Sequence, residues 1–170
     1  MATIFGSSIK RREDPRLVTG SATYTDDVKL PGLTYAAILR SPYAHARITN
    51  VDISAVHNAP GVLAVYTGRD VQAKTNPVPC AWNVPNCDLK VPPHPLLAVD
   101  TVRYVGDGVV MVVAESRAAA RDAIDLVDVS YDPLDSGVDP EKMAQPGAPQ
   151  LHAEVPGNIS KEIVARVRGE

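Results

Sequence analysis

Cysteine is scarce, with two among 170 residues, Cys80 and Cys87. Their spacing is not Cys-x-x-Cys and no other cysteines accompany them, which argues against zinc or iron–sulfur ligation. With nothing pointing to an oxidising compartment, the pair reads as free thiols. Long apolar runs are missing too: no segment approaches the ~18 residues of a membrane span. Arg11-Arg12 is followed by Glu13-Asp14-Pro15 rather than by an apolar stretch, so neither a secretory nor a twin-arginine leader is read, and a cytoplasmic location is the expectation. Nor is there an excess of charge: 17 basic residues face 20 acidic ones, a net charge of −3. That balance implies no attraction to nucleic acid or to an anionic membrane.

The usual signs of catalysis are absent as well. There is no Gly-x-Ser-x-Gly elbow. His45, His57, His94 and His152 stand far apart, and none belongs to a metal-ligand motif. His45 falls in a turn, where a hydrogen-bonding role is expected. Val105-Gly106-Asp107-Gly108 is the nearest thing to a phosphate-cradling loop, but it lacks a third glycine and leads into a strand, so it reads as a turn. Glu13-Asp14 and Asp26-Asp27 are neighbours in polar segments and read as solvated surface. A free-standing hydrolase or transferase would need a nucleophile–base pair, and none is found. No catalytic, cofactor-binding or metal-ligating residue is assigned.

What remains reads as a mixed α/β domain of five or six strands and two or three helices. Residues 1–32 form an irregular arm with a short strand expected at 22–24. Strands are expected at 33–39, apolar enough to be buried on both faces, at 46–53 and at 62–66. Ser54 is expected to cap a short helix over 55–58, and Thr67 another through Asp70 and Val71. Residues 102–105 and 109–114 are read as a strand–turn–strand pair around Gly106-Asp107-Gly108. Ser116 caps a helix at 117–126 whose apolar face is Ala120, Ala123, Ile124 and Val127. Val127, Val129 and Tyr131 then alternate with Asp128, Ser130 and Asp132 as a strand with one wet face. Strand, helix and strand over 109–131 are expected to form a right-handed crossover. A short helix is expected near 141–144.

Residues 74–97 differ in composition. They hold Pro77, Pro79, Pro85, Pro92, Pro93 and Pro95, both cysteines and Trp82, the only tryptophan. Loops of this length in compact domains are usually functional or disordered. The proline density and Trp82 favour an ordered loop that docks on something.

Five segments, in order, resemble the N-terminal α/β-hammerhead domain of molybdenum hydroxylase large subunits, the xanthine dehydrogenase/aldehyde oxidase/CO dehydrogenase family. They are Arg12-Glu13-Asp14-Pro15-Arg16 with Thr19-Gly20, Tyr24-Thr25-Asp26-Asp27-Val28 and Leu30-Pro31-Gly32; Arg40-Ser41-Pro42-Tyr43-Ala44-His45-Ala46-Arg47-Ile48; Pro60-Gly61-Val62; Val102-Arg103-Tyr104-Val105-Gly106 leading to Val112-Val113-Ala114-Glu115; and Ala118-Ala119 through Val129-Ser130-Tyr131-Asp132-Pro133-Leu134. Asp139-Pro140 and Gly157-Asn158 complete the set. The arm is most similar to the CO dehydrogenase-like branch. Where the family has Glu or Gln then Pro after the glycine at 106, this chain has Asp107-Gly108.

The resemblance implies an α/β-hammerhead, an α+β mixed sheet with packed helices: an arm at 1–32, a domain core at 18–134 and a C-terminal extension at 135–170 leading to cofactor domains absent here. It implies a structural and docking role in an oxidoreductase that hydroxylates aldehydes, purines or N-heterocycles, or oxidises CO. The molybdopterin-type molybdenum cofactor would sit in downstream domains, and iron–sulfur clusters and FAD on partner subunits, with none bound by this chain. The isolated chain is not expected to be catalytic. The proline-rich loop, with Cys80, Trp82 and Asn83, is expected to border the substrate channel. The alternative is a separately encoded, non-catalytic assembly module acting in trans with a cofactor-binding subunit.

Overall fold

The structure, a computed structural model, describes residues 5–82 and 88–162. The chain divides into two compact units, residues 1–33 and 34–170. In the first, Pro15 opens a short helix α1 (Asp14–Val18), and the chain then doubles back, with the Ser21 and Ala22 amides donating to the Arg16 carbonyl at 2.9 and 3.0 Å. The expected strand at 22–24 is not formed: the Ala22 amide is spent on the α1 C-terminus and the Tyr24 amide on the Asp27 side chain. A 3₁₀ turn at Thr25–Asp27 follows, braced by the Tyr24 amide donating to Asp27 Oδ2 at 2.9 Å.

The second unit carries two three-stranded antiparallel sheets. Strands β1 (Tyr35–Arg40), β2 (Ala46–Asp52) and β3 (Val62–Thr67) come first. Then follow α2 (Gly68–Gln72), β4 (Thr101–Val102), β5 (Gly108–Ala114), α3 (Arg117–Ile124), β6 (Asp128–Pro133) and α4 (Pro140–Met143). One sheet has the order β1-β5-β3 and the other β4-β2-β6. Two expectations are corrected here. Residues 102–105 and 109–114 are not a hairpin, because β4 pairs with β2 while β5 pairs with β1 and β3. Nor do β5, α3 and β6 form a crossover within one sheet, because β6 pairs with β2. Local patterning marked most of the strands, but pairing was decided by long-range register.

Helix α3 forms as its sequence dictates. Ser116 Oγ accepts the Ala119 amide at 3.1 Å, satisfying a donor that the first turn leaves open. Ala120 and Ala123 are buried, and Ile124 packs beside them. At the other short helices the caps differ from expectation in one case. The amide of Ser54 donates to Asp52 Oδ1 at 2.9 Å, and Ser54 itself caps nothing before the 3₁₀ turn Val56–Asn58. The Thr67 amide and hydroxyl both donate to Asp70 Oδ2 at 2.7 Å, which holds that carboxyl below its ordinary pKa.

The core joins the sheets: Val110 and Val112 of β5, Ala46 of β2, Val102 of β4, Val56 and Ala123 lie in one buried cluster, with Ile48, Val51, Val129 and Tyr131 against it. β5 is apolar on both faces, as its run of valines suggests. β1 is not buried on both faces as expected; it alternates half-buried and exposed positions.

Candidate functional site

Two features of the second unit gather the polar residues that the sequence singled out. The first is a clasp between the turn at residues 40–45 and the turn at 104–108. The Ser41 amide donates to the Asp107 carbonyl and the Gly106 amide donates to the Ser41 carbonyl, both at 2.8 Å. Arg40 Nη1 donates to the Gly106 carbonyl at 2.8 Å. Gly106 sits at φ +94°, a conformation open to glycine and costly for other residues. The Asp107 side chain is buried and Oδ2 accepts the Arg103 amide at 3.1 Å. Below the turn, Ser41 Oγ both donates to the Tyr43 carbonyl at 2.9 Å and accepts the Tyr43 amide at 3.0 Å. His45 meets the Asp135 carbonyl through Nδ1 at 2.9 Å, in keeping with the hydrogen-bonding role read for it. The rings of Tyr43 and Tyr131 meet at a tilt of 51°, with centroids 5.2 Å apart. Burial, followed by the charge of Asp107, raises the Tyr131 hydroxyl above the ordinary phenol pKa. The bonds named here tie one turn to the other, and no buried side-chain N or O atom among the described residues lacks a hydrogen-bond partner, so the clasp is architecture.

The second feature is a groove of about 510 Å³ under the proline-rich segment, between Val78–Cys80 and residues 91–95 on one wall and Arg103, Tyr104 and His152 on the other. This lies within the ~300–1,000 Å³ typical of small-molecule sites. The segment is ordered by backbone bonds: the Val78 amide donates to the His94 carbonyl at 2.8 Å, and the Lys90 amide to the Ser160 carbonyl at 3.0 Å. Ser160 Oγ returns a bond to the Lys90 carbonyl at 2.7 Å. His94 stands edge-on to Tyr104, with Nε2 3.3 Å from the phenol oxygen. Tyr104 is raised above its ordinary pKa, first by burial and then by Asp107. Arg103 Nε donates to the Leu151 carbonyl at 3.3 Å, tying the far wall to the strand end. His152 is held below its ordinary pKa by burial and then by the nearby Arg103 charge.

Cys80 lines this groove and also a shallower hollow of about 640 Å³ that Trp82 shares with Leu89, Lys90 and Ile159. Its thiol is exposed and unbridged, and donates to the Trp82 carbonyl at 3.4 Å. Trp82 is 51% exposed. Asn83 and Cys87 lie outside the described residues. Sequence reasoning did not single out Arg103, His152 or the hub at Asn158. Asn158 Nδ2 donates to the carbonyls of Met143 and Pro149, each at 2.9 Å, and Oδ1 accepts the Leu151 amide at 2.9 Å. Asn158 also has φ +59°, a left-handed conformation that Asn tolerates better than most residues. The Gly-Asn pair was the only sequence signal for it.

No three His, Cys, Asp or Glu side chains converge to hold a metal ion among the described residues. The groove's Cys80, His94, Asp107 and His152 are not gathered into such a set, so they do not fit a metal cofactor, and no step of a metal-centred reaction is assigned to them. Among the described residues no helix is long and apolar enough to cross a membrane.

Two three-stranded antiparallel sheets with a flanking helix define an α+β domain. The family model for the aldehyde oxidase and xanthine dehydrogenase a/b hammerhead domain matches residues 19–135, and the chain belongs to that family. It is 42% identical over 156 residues to the nicotine 6-hydroxylase large subunit of Paenarthrobacter nicotinovorans, covering 92% of this chain and 19% of that protein. It is 40% identical over 161 residues to the carbon monoxide dehydrogenase large chain of Afipia carboxidovorans, covering 95% and 19%. Among solved structures, the Cu,Mo-CO dehydrogenase in its carbon monoxide reduced state superposes with a TM-score of 0.75 at 38% identity, covering 95% of this chain and 19% of that one. The chain thus spans about a fifth of the length of these relatives.

Proposed function

We propose that this chain serves as the hammerhead portion of the large subunit of a molybdenum hydroxylase, supplying scaffold and one border of the substrate passage. In this reading the core at 18–134 carries the fold, the arm at 1–32 and the extension at 135–170 flank it, and the reacting centre lies in other polypeptide. That centre is a molybdopterin-type molybdenum cofactor, fed by iron–sulfur and FAD partners in the cytoplasm. The reaction is hydroxylation of an aldehyde, purine or N-heterocycle, or oxidation of CO. The chemistry belongs to the cofactor, and the protein supplies binding and orientation. The observation that carries the reading is the proline-braced groove: a formed concavity with apolar walls and a few polar groups, in which the Cys80 thiol donates to the Trp82 carbonyl. Cys80, Trp82 and Asn83 are assigned to the passage wall.

The test grafts this chain in place of the matching fifth of the nicotine 6-hydroxylase large subunit. Full molybdenum and pterin loading with turnover is the expected result. Trp82→Ala in that chimera lowers kcat/KM by about tenfold, ~1.4 kcal/mol, with molybdenum content unchanged. Stoichiometric molybdenum on the isolated 170-residue chain would overturn the placement of the cofactor elsewhere.

A further inference from the structure

The far wall of the groove is fastened by a short surface turn, residues 150–158, that closes on itself. Gln150 Nε2 donates to the carbonyls of His152, at 2.7 Å, and Val155, and its Oε1 accepts the Gly157 amide at 3.2 Å. The Val155 amide donates to the His152 carbonyl at 3.1 Å, and the Leu151 amide to Asn158 Oδ1 at 2.9 Å. Val155 is buried and anchors the far end of the turn. One side-chain bond ties the near end to the groove: Arg103 Nε donates to the Leu151 carbonyl at 3.3 Å. Arg103 is itself fixed, with its amide on Asp107 Oδ2 at 3.1 Å and Nη1 3.5 Å from the Thr101 carbonyl.

His152 follows Leu151 directly, so its ring is pinned beside this bond. It is half-buried. With Arg103, it lines both the groove and a more polar cavity of about 290 Å³ that Thr75, Asn76, Asp100 and Glu154 share. The charged and titratable groups around it come from several elements. Arg103 follows β4, Glu154 is on the turn itself, His45 follows β1, and His94 belongs to the proline-rich segment. Asp107 and Tyr104 lie across the groove and Asp100 across the second cavity. Asp107 already holds the Arg103 amide, and Asp100 meets Arg69 at 3.4 Å. Burial and the Arg103 charge together outweigh the attraction of Glu154. A neutral imidazole suits this setting and an imidazolium does not.

We infer that residues 150–154 form an acid-released clamp on the groove: a proton on His152 sets a second cation beside Arg103, and the Arg103–Leu151 bond opens so that the imidazolium reaches water. The turn moves rather than Arg103, because the arginine backbone is held by Asp107 while Glu154 and its neighbours lie at the surface. Buried Val155 limits the movement to the near end. Opening returns His152 toward its ordinary pKa, so protons favour the open form. The clamp is built from this chain's own turn and stands whatever the groove carries.

The experiment measures hydrogen exchange across residues 150–158 in the parent chain and in His152→Gln, at about pH 7.5 and about pH 5.5, an interval in which histidine titrates and most carboxylates stay ionised. The amides of Leu151, Val155, Gly157 and Asn158 are bonded within the turn and report its opening. Comparing the two chains at one pH cancels the intrinsic pH dependence of exchange. At the higher pH they exchange alike. At the lower pH the parent exchanges faster, by up to about tenfold for each pKa unit that closure takes from His152. Residues 108–114 of β5 stay equally protected in both. Equal exchange of the two chains at the lower pH would overturn the clamp. So would a parent whose β5 loses protection together with the turn, since the whole fold would then be opening. A His152→Gln turn already unprotected at the higher pH would also overturn it, by showing that the ring acts through its packing and not through its charge.

Discussion

Ser41 and Asp107 are joined by their backbones, the Ser41 amide donating to the Asp107 carbonyl at 2.8 Å, and both are nearly buried, at 2% and 8% exposure. The pair ties the turn after β1 to the turn before β5 and so sets where those paired strands begin and end. Arg103 is drawn in through its amide on Asp107 Oδ2, which makes the groove wall an extension of the same clasp.

The clasp predicts a graded series. Ser41→Ala removes a hydroxyl that donates to and accepts from Tyr43 and leaves the Tyr43 amide without that acceptor, at a cost of about 1 kcal/mol. Asp107→Asn retains an acceptor for the Arg103 amide and costs less than Asp107→Ala. Urea unfolding of the three variants measures this. Equal midpoints for Ser41→Ala and the parent would show that the hydroxyl contributes nothing.

Gly68 gives a steric prediction. A Cβ on Gly68 would lie 2.2 Å from the Ala98 carbonyl oxygen, a backbone atom with little freedom to retreat. Gly68→Ala therefore costs about 3 kcal/mol through overpacking. At Gly137 the same addition meets only the flexible side chain of Met143, so Gly137→Ala is milder. Thermal melts of the two variants side by side check the ranking, and a Gly68→Ala protein as stable as Gly137→Ala would contradict it.

Asn158 separates two contributions. Asn158→Ala loses three hydrogen bonds to backbone and places a Cβ residue at φ +59°, for a total of about 2–4 kcal/mol. Asn158→Gly loses the same bonds without the backbone penalty and is less damaging. Both free residues 144–162 to limited proteolysis before the sheets are cleaved. Simultaneous cleavage of the two regions would argue against the hub.

His152 makes stability depend on pH in a stated sense. Burial, then Arg103, lowers its folded pKa from the ordinary 6.5. Below pH 6.5 the unfolded chain takes up the proton more readily than the folded one, so this contribution to stability is present above 6.5 and is lost as pH falls toward the folded value. His152→Gln flattens the slope of unfolding free energy over that interval. An unchanged slope would place the titration elsewhere.

The parts of the fold legible in the sequence are those fixed by neighbouring residues. Ser116 and the alanine spacing of 120 and 123 mark α3, and alternation at Val129 and Tyr131 marks β6. The assignment of strands to two sheets was not legible, because β5 finds its partners far along the chain and the short β4 carries no pattern of its own. In the candidate site, proline density pointed to the loop, and Cys80 does line the groove. Its opposite wall was hidden: Arg103 and Leu151 meet across 48 residues, and a lone arginine in a strand end announces no such bond. Asn158 was visible only as a Gly-Asn pair, since a side chain that bonds three backbone groups leaves no periodic trace.

The middle position of β5 has a consequence for how the chain comes to be folded. Both strands that flank it, β1 and β3, leave the ribosome earlier, and neither has a sheet partner until Gly108–Ala114 has emerged. A nascent chain cut short of that strand displays two unpaired apolar ribbons, open to each other in the wrong register or to neighbouring polypeptides. Such distant pairings also close slowly, so this small domain is set to depend on chaperones during synthesis more than its size alone would suggest.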